Sequence, residues 1–205
     1  MNILVACECS QVVLKAFLAK GHNVYSCDLQ SCYGGLPGRH IKGNCLDYLY
    51  PGFFICEDGS FHYVDKWDML IAHPPCTYFS KAGACRLFPK GKLNLDRFAA
   101  GLEMRSLFLQ LLYCGIPKIC IENPTPMKIW DLPPHSDAIH PYEFGEPYSK
   151  LTFLWLRGLP PLMSTILCED WSEFVTNVPG SNKNRAKLRS QTFQGIANAM
   201  ADQWG

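Results

Sequence analysis

The stretch "NILVACECSQVVLKAFLAKGHNVYSCDL", residues 2–29, decides what kind of fold to expect. It opens with "NILVA", a short continuous apolar run of the kind found in a central strand covered on both faces. "CECS" then turns the chain. From Ser10, a candidate N-cap, "SQVVLKAFLAKG" places Val12, Val13, Ala16 and Phe17 on one helical face and stops at Gly21. A second strand, "NVYSCDL", ends in Asp28. Strand, helix and strand in that order build a parallel sheet, because the crossover helix brings the chain back in the same direction.

Working outward, residues 31–43 are rich in glycine and turn formers and read as a loop, followed by "NCLDYL" with Asp47. "FFICEDGSFHYV" carries Asp58-Gly59 between β-prone runs, a hairpin signal. "WDMLIA" is a strong strand and delivers "HPPCTYFSKAG"; "LNLDRFAAGLEMRSLFLQLLYCG" is the longest helical pattern; "KICIEN" is a further strand. A proline-rich stretch, the late strand "LTFLWL" and the terminal helix "SQTFQGIANAMADQW" complete the chain. The fold class is α/β with a mostly parallel central sheet. Three strands end in polar clusters: Asp28, Pro75-Cys76 and Glu122-Asn123. In an open parallel sheet ligands bind outside the carboxyl ends of the strands, so these distant clusters should meet in one cleft.

The chain has 205 residues, 48% of them hydrophobic and 18% charged, enough for one good core and short for two domains. No run approaches the roughly eighteen apolar residues of a membrane span, and "MNILVACECS" lacks the features of a signal peptide, so a soluble, cytoplasmic protein is expected. Eleven cysteines, an odd number scattered through apolar stretches, read as reduced small hydrophobic residues. A net charge of +1 gives no global attraction to nucleic acid, so any such contact needs a local basic patch. "NKNRAKLRS", residues 182–190, offers Lys183, Arg185, Lys187 and Arg189 without an acid, either as that patch or as a solvated helix entry.

Cys76 admits three roles: core filler, metal ligand or nucleophile. Nucleobase deaminases bind zinc through His-x-Glu and Pro-Cys-x-x-Cys. Here Phe79 stands in place of the second cysteine, no His-x-Glu occurs, and Cys7-Glu8-Cys9 has the wrong spacing for a zinc knuckle, so no metal is expected. A nucleophilic cysteine needs partial exposure and a field that favours its thiolate, which a loop leaving a strand end near a helix N-terminus supplies. Pro74 and Pro75 fix the backbone and remove two amide donors ahead of Cys76. Glu122 is suited to share a proton with a heterocyclic nitrogen if burial raises its pKa, with Asn123 to orient it.

These residues carry a resemblance. "PPCTYFSKAG" resembles the Pro-Cys loop of the C5-cytosine DNA methyltransferases, "IENP" resembles their Glu-Asn-Val motif, and "ILVACECSQVVLKAFLAKGHNVYSCDL" and "LRSQTFQGIANAMADQW" resemble the compact form in small phage-type members. The resemblance implies a Rossmann-like S-adenosylmethionine-dependent methyltransferase fold, in a single domain over residues 1–205, located in the host cytoplasm if phage-encoded. It implies that Cys76 adds to C6 of cytosine and that Glu122 bonds N3 and the exocyclic amine, with Pro75, Asn123 and Lys150 in the catalytic group. Ala6, Cys7, Glu8, Cys9 and Ser10 would face the methionine part of the cofactor, Asp28 its ribose hydroxyls and Asp47 its adenine, with Leu29 and Pro74 also in the cofactor site. Thr77, Ser80 and the basic run would meet DNA. A carboxylate ending the second strand also suits ribose hydroxyls on physical grounds, or caps a turn.

The sequence departs from the family's pattern in several places. Thr77 replaces glutamine, Pro124 replaces valine, and "ACECS" has no glycine where the first cofactor motif is glycine-rich. Lys150 is the one cation in "FGEPYSKLTFLW", where the family has Gln-Arg-x-Arg; it assists the substrate or is a surface lysine. A small irregular region at about 131–190 stands in place of a target-recognition domain. The substrate implied is therefore cytosine in DNA, read alone or with a protein partner, or a free pyrimidine nucleotide, with a non-catalytic methyltransferase-like protein that binds cofactor or a partner as the remaining alternative.

Overall fold

The protein was analysed as a computed structural model, which describes residues 1–174 and 191–205. In chain order, β1 (Asn2–Ala6) leads into α1 (Val12–Ala19) and β2 (Asn23–Asp28), followed by β3 (His40–Lys42). A hairpin of β4 (Gly52–Ile55) and β5 (Phe61–Val64) precedes β6 (Met69–Ala72). Next come the one-turn α2 (Ala84–Leu87), the long α3 (Leu95–Leu112), β7 (Lys118–Pro124) and β8 (Asp137–Ile139). The two-residue β9 (Tyr148–Ser149), β10 (Thr152–Arg157), the two-residue β11 (Ser172–Glu173) and α4 (Gln194–Trp204) follow, and short 3-10 turns link several of these elements.

Seven strands form one sheet in the order β3-β2-β1-β6-β7-β10-β8. All neighbours are parallel except β10, which runs antiparallel to both β7 and β8. This is the expected mixed α/β fold with a mostly parallel central sheet. The apolar runs are continuous because both faces are covered, and the period of two sends alternate residues to opposite sides. Leu4, Leu70, Ile119 and Ile121 pack under α3 with Phe108 and Leu111. Ile3, Val5, Met69, Ile71 and Cys120 pack under α1 and α4 with Phe17, Ile196, Met200 and Trp204. The Asp58-Gly59 hairpin forms as expected, with Gly59 at φ +87° and the Cys56 amide donating to the Ser60 carbonyl at 2.9 Å. None of the eleven cysteines is in a disulfide.

Two local expectations are corrected. Ser10 is not the N-cap of α1; Gln11 is, in a left-handed conformation at φ +60°. The carboxylate of Glu8 does the capping, accepting from the amides of Val13 at 2.8 Å and Leu14 at 3.3 Å. The stretch 31–43 is not all loop, since His40–Lys42 pairs with Ser26–Asp28 and becomes an edge strand. Of the region at about 131–190, β8 and β10 belong to the main sheet. Among the described residues no helix is long and apolar enough to cross a membrane.

Candidate active site

The parallel strands β1, β2, β6 and β7 all end on one edge, and their register decides which side chains meet there. Ala6 is level with Ala72, and Ala72 with Ile121. The next residues along, Cys7, His73 and Glu122, therefore stand in a row. Because β10 is reversed, its beginning lies at this same edge, with Leu154 beside Glu122 and Phe153 beside Asn123. That reversal brings Lys150, just ahead of β10, to the cleft.

Beyond His73 the chain forms a tight turn. Pro74 is buried, Pro75 and Thr77 are exposed and Cys76 is half-buried. The Cys76 carbonyl accepts from the amides of Phe79 at 3.1 Å and Ser80 at 3.0 Å. Neighbouring segments fasten the turn from outside. The Asn123 amide Nδ2 donates to the Pro74 carbonyl at 2.9 Å, Arg97 Nη2 to the Thr77 carbonyl at 2.6 Å, and the Met127 amide to the Phe79 carbonyl at 2.8 Å. Phe79 itself is fully buried, with ring centroids 6.1 Å from Phe108 and 6.0 Å from Trp130. Trp130 lies so close over Gly101 of α3 that a methyl group there would fall inside the indole. The thiol is thus held on a short arch whose feet are pinned to α3 and to the segment after β7.

Glu122 sits in a polar nest. Its Oε2 lies 2.8 Å from His73 Nδ1 and accepts from the Thr192 hydroxyl at 3.1 Å; the His73 and Glu122 side chains are 10% and 11% exposed. Burial alone would raise this carboxyl, as the sequence suggested. The outcome is the reverse. The His73 hydrogen bond and charge, with smaller contributions from Lys150 and Thr192, outweigh burial and hold the group at about 2, so Glu122 is ionised. Asn123 does not bond Glu122 as expected; its amide ties down the Cys76 turn through Pro74. Lys150 acts on Glu122 and His73 through its charge, and its ammonium lies 5.7 Å from the Phe193 ring centre.

On the β1 side, the turn Ala6–Ser10 lacks glycine, and the chain meets its geometry with two left-handed residues, Cys7 at φ +58° and Gln11 at φ +60°. Such backbone is uncommon outside glycine and clusters at functional sites. Ala6, Glu8 and Ser10 are buried, with Glu8 engaged in capping; Cys7 and Cys9 are half-buried. Cys7 Sγ is 3.9 Å from Cys45 Sγ. Asp28 ends β2 half-buried, its Oδ1 accepting from the Gln30 amide at 2.9 Å, while Leu29 beside it is 73% exposed. Asp47 is exposed on the short turn after Asn44. A carboxylate ending β2 with an exposed leucine next to it suits a ligand with vicinal hydroxyls and a flat ring. Among the described residues no group of His, Cys, Asp and Glu is placed to hold a metal.

Two groups of residues went unrecognised in the sequence. His73 and Thr192 complete the Glu122 nest; His73 was readable only through register, since it follows "MLIA" as Glu122 follows "KICI", and Thr192 had no signal. The second group is basic. Between Asp68 and Asp96 the chain has no acid, and Lys81, Arg86, Lys90 and Lys92 are all exposed. This segment starts at the Cys76 turn, and Arg97 just beyond it is tied back to that turn through the Thr77 carbonyl. The basic run with Lys183, Arg185, Lys187 and Arg189 lies outside the described residues, and Ser80 is half-buried at the base of the turn.

No family model and no curated protein matches the chain. Solved structures to which it is similar include a candidate DNA modification methyltransferase encoded within an E. coli prophage, at 11% identity and a TM-score of 0.45, covering 76% of this chain and 46% of that one. Another is a mutant of the DNMT2 of Spodoptera frugiperda, at 15% identity and a TM-score of 0.44, covering 84% and 56%. The chain thus spans about half the length of these proteins.

Proposed function

We propose that this protein is an S-adenosylmethionine-dependent methyltransferase that methylates C5 of cytosine in DNA through a covalent bond from Cys76. One observation carries the reading: the β6–β7 register puts the Cys76 arch and the ionised Glu122 at one sheet edge, locked together by Asn123. The residues of the β1–β2 side suit the cofactor, with Asp28 for the ribose hydroxyls, Leu29 and Asp47 for the adenine, and the Cys7–Ser10 turn for the methionine part. When bound, the cofactor supplies an electrophilic methyl group.

The chain's own residues do the rest. Cys76 adds through sulfur to C6, which makes C5 electron-rich. Glu122 accepts from the exocyclic amine and stands at N3, where charge changes during addition. The arch holds the sulfur against the ring face, so that addition is effectively intramolecular. After methylation, loss of the C5 proton to water or a base lets the thiolate leave. A base in duplex DNA has to leave the stack to reach this arch. Residues 1–205 are read as a single methyltransferase domain, with a small irregular region at about 131–190 in place of a target-recognition domain. The test is mass spectrometry of nucleosides from DNA of cells expressing the protein. 5-Methylcytosine is expected, and its absence while the protein is soluble and folded contradicts the reading.

The basic segment favours a polymer over a free nucleotide, since each phosphate neutralised releases counterions. Reversing Lys81, Arg86, Lys90 and Lys92 to Glu is expected to weaken DNA binding at least tenfold at about 0.1 M salt. It should also flatten the salt dependence by about 0.9 in log–log slope for each phosphate no longer neutralised. Fluorescence anisotropy with a labelled oligonucleotide reads both, and dCMP binding should change little.

A further inference from the structure

His73 has no task in the C5 chemistry just described, yet it is the closest partner of Glu122. Its backbone amide donates to the Ala6 carbonyl at 3.0 Å, fixing the residue between β1 and β7. Since a carboxylate only accepts, His73 Nδ1 must carry the hydrogen in its 2.8 Å contact with Oε2. Among the described residues the other ring nitrogen, Nε2, is buried without a hydrogen-bond partner. The charged groups facing the ring are Glu122 on β7, Glu8 on the β1–α1 turn and Lys150 before β10; the end of its own strand adds none. Burial opposes a charged ring, but the Glu122 hydrogen bond and charge, with Glu8 assisting and Lys150 opposing, leave the imidazole above its ordinary 6.5.

The site therefore poses a problem that its geometry also answers. An ionised Glu122 can accept from the exocyclic amine but has no proton to give N3. Of the donors Thr192 and His73, only an imidazolium releases a proton near neutral pH.

We propose that His73 is a positioning residue that stores the proton Glu122 delivers to the base. This rests on the C5-transfer reading above. As the Cys76 sulfur bonds to C6, the π electron pair of the C5–C6 bond moves into the ring system and N3 becomes basic. The Glu122 carboxylate first takes the proton from His73 Nδ1 at Oε2, and the carboxyl so formed passes a proton to N3, so one N–H bond breaks, one forms, and the imidazole is left neutral. When the thiolate departs, N3 returns the proton by the same route.

The test is the rate of covalent adduct formation with 5-fluorocytosine DNA and S-adenosylmethionine across pH 5 to about 10, for wild type and His73→Gln. Glutamine can still donate to Glu122 but cannot store a proton. The wild-type rate is expected to fall on the alkaline side as the imidazolium is lost. His73→Gln is expected to be slower by about 10²-fold or more at neutral pH and to lack that alkaline limb. A His73→Gln rate and profile equal to wild type overturns the proposal while the C5 reading stands. No adduct with wild type removes the C5 reading, and the proton step with it. A second measurement does not depend on the variant folding. In the wild-type protein the His73 ring resonances should titrate above 6.5, and in Glu122→Gln the same resonances should titrate lower. Titration at or below 6.5 in wild type also overturns the proposal.

Discussion

Cys76→Ser is expected to reduce methyl transfer to DNA by about 10⁴-fold or more, as loss of a covalent nucleophile does elsewhere. The reason is chemical. A serine hydroxyl at the same place is a far weaker nucleophile than a cysteine thiol, because an alcohol gives up its proton several pH units higher than a thiol does. The fold should be untouched, because Cys76 is half-buried and the arch is held by backbone and by neighbours: its own carbonyl receives the amides of Phe79 and Ser80. Stability in urea within about 0.5 kcal/mol of wild type is expected. A filter assay with radiolabelled methyl donor reads the rate. Activity retained within tenfold would move the nucleophile elsewhere.

Phe79→Ala tests whether the arch is rigid for a reason. Phe79 is fully buried and packs edge-on against Phe108 and beside Trp130, and its backbone is bonded on both sides, to Cys76 and to Met127. Removing the ring leaves a cavity in the layer under α3 and is expected to cost about 3–5 kcal/mol, read as a lowered urea midpoint. The rate should fall further than stability alone explains, because the sulfur loses its fixed approach to the base and a misplacement of about 1 Å is worth on the order of 10² in rate. Phe79→Leu fills most of the volume and should restore most of both. Unchanged stability in Phe79→Ala would mean that the arch is not anchored by this contact.

The parts of this architecture that the sequence revealed are those whose burial is two-sided. "NILVA", "WDMLIA" and "KICIEN" read as central strands because neither face meets water, and the strand ends that carry Asp28, Cys76 and Glu122 lie at one edge of the sheet. What stayed hidden depends on register and on distant chain. Strand β3 has three residues and no apolar run of its own. Ser10 looked like a cap because short polar side chains usually cap, but Glu8 reaches the same amides from farther back. A proton-sharing Glu122 required burial to raise its pKa; the opposite sign comes from His73, which no local pattern pairs with it, and more weakly from Lys150 and from Thr192, seventy positions away in the sequence. Electrostatics at a buried site is set by partners that only the fold assembles.

The central claim is that Cys76 forms a covalent bond to C6 of a cytosine held against Glu122. Incubation with DNA containing 5-fluorocytosine and S-adenosylmethionine blocks loss of the C5 substituent, so the enzyme should stop as a stable protein–DNA adduct. Denaturing electrophoresis and peptide mass spectrometry then locate the link. The account predicts one adduct, at Cys76, absent in Cys76→Ser and slowed in Glu122→Gln. An adduct at another cysteine, or one that survives Cys76→Ser, contradicts it.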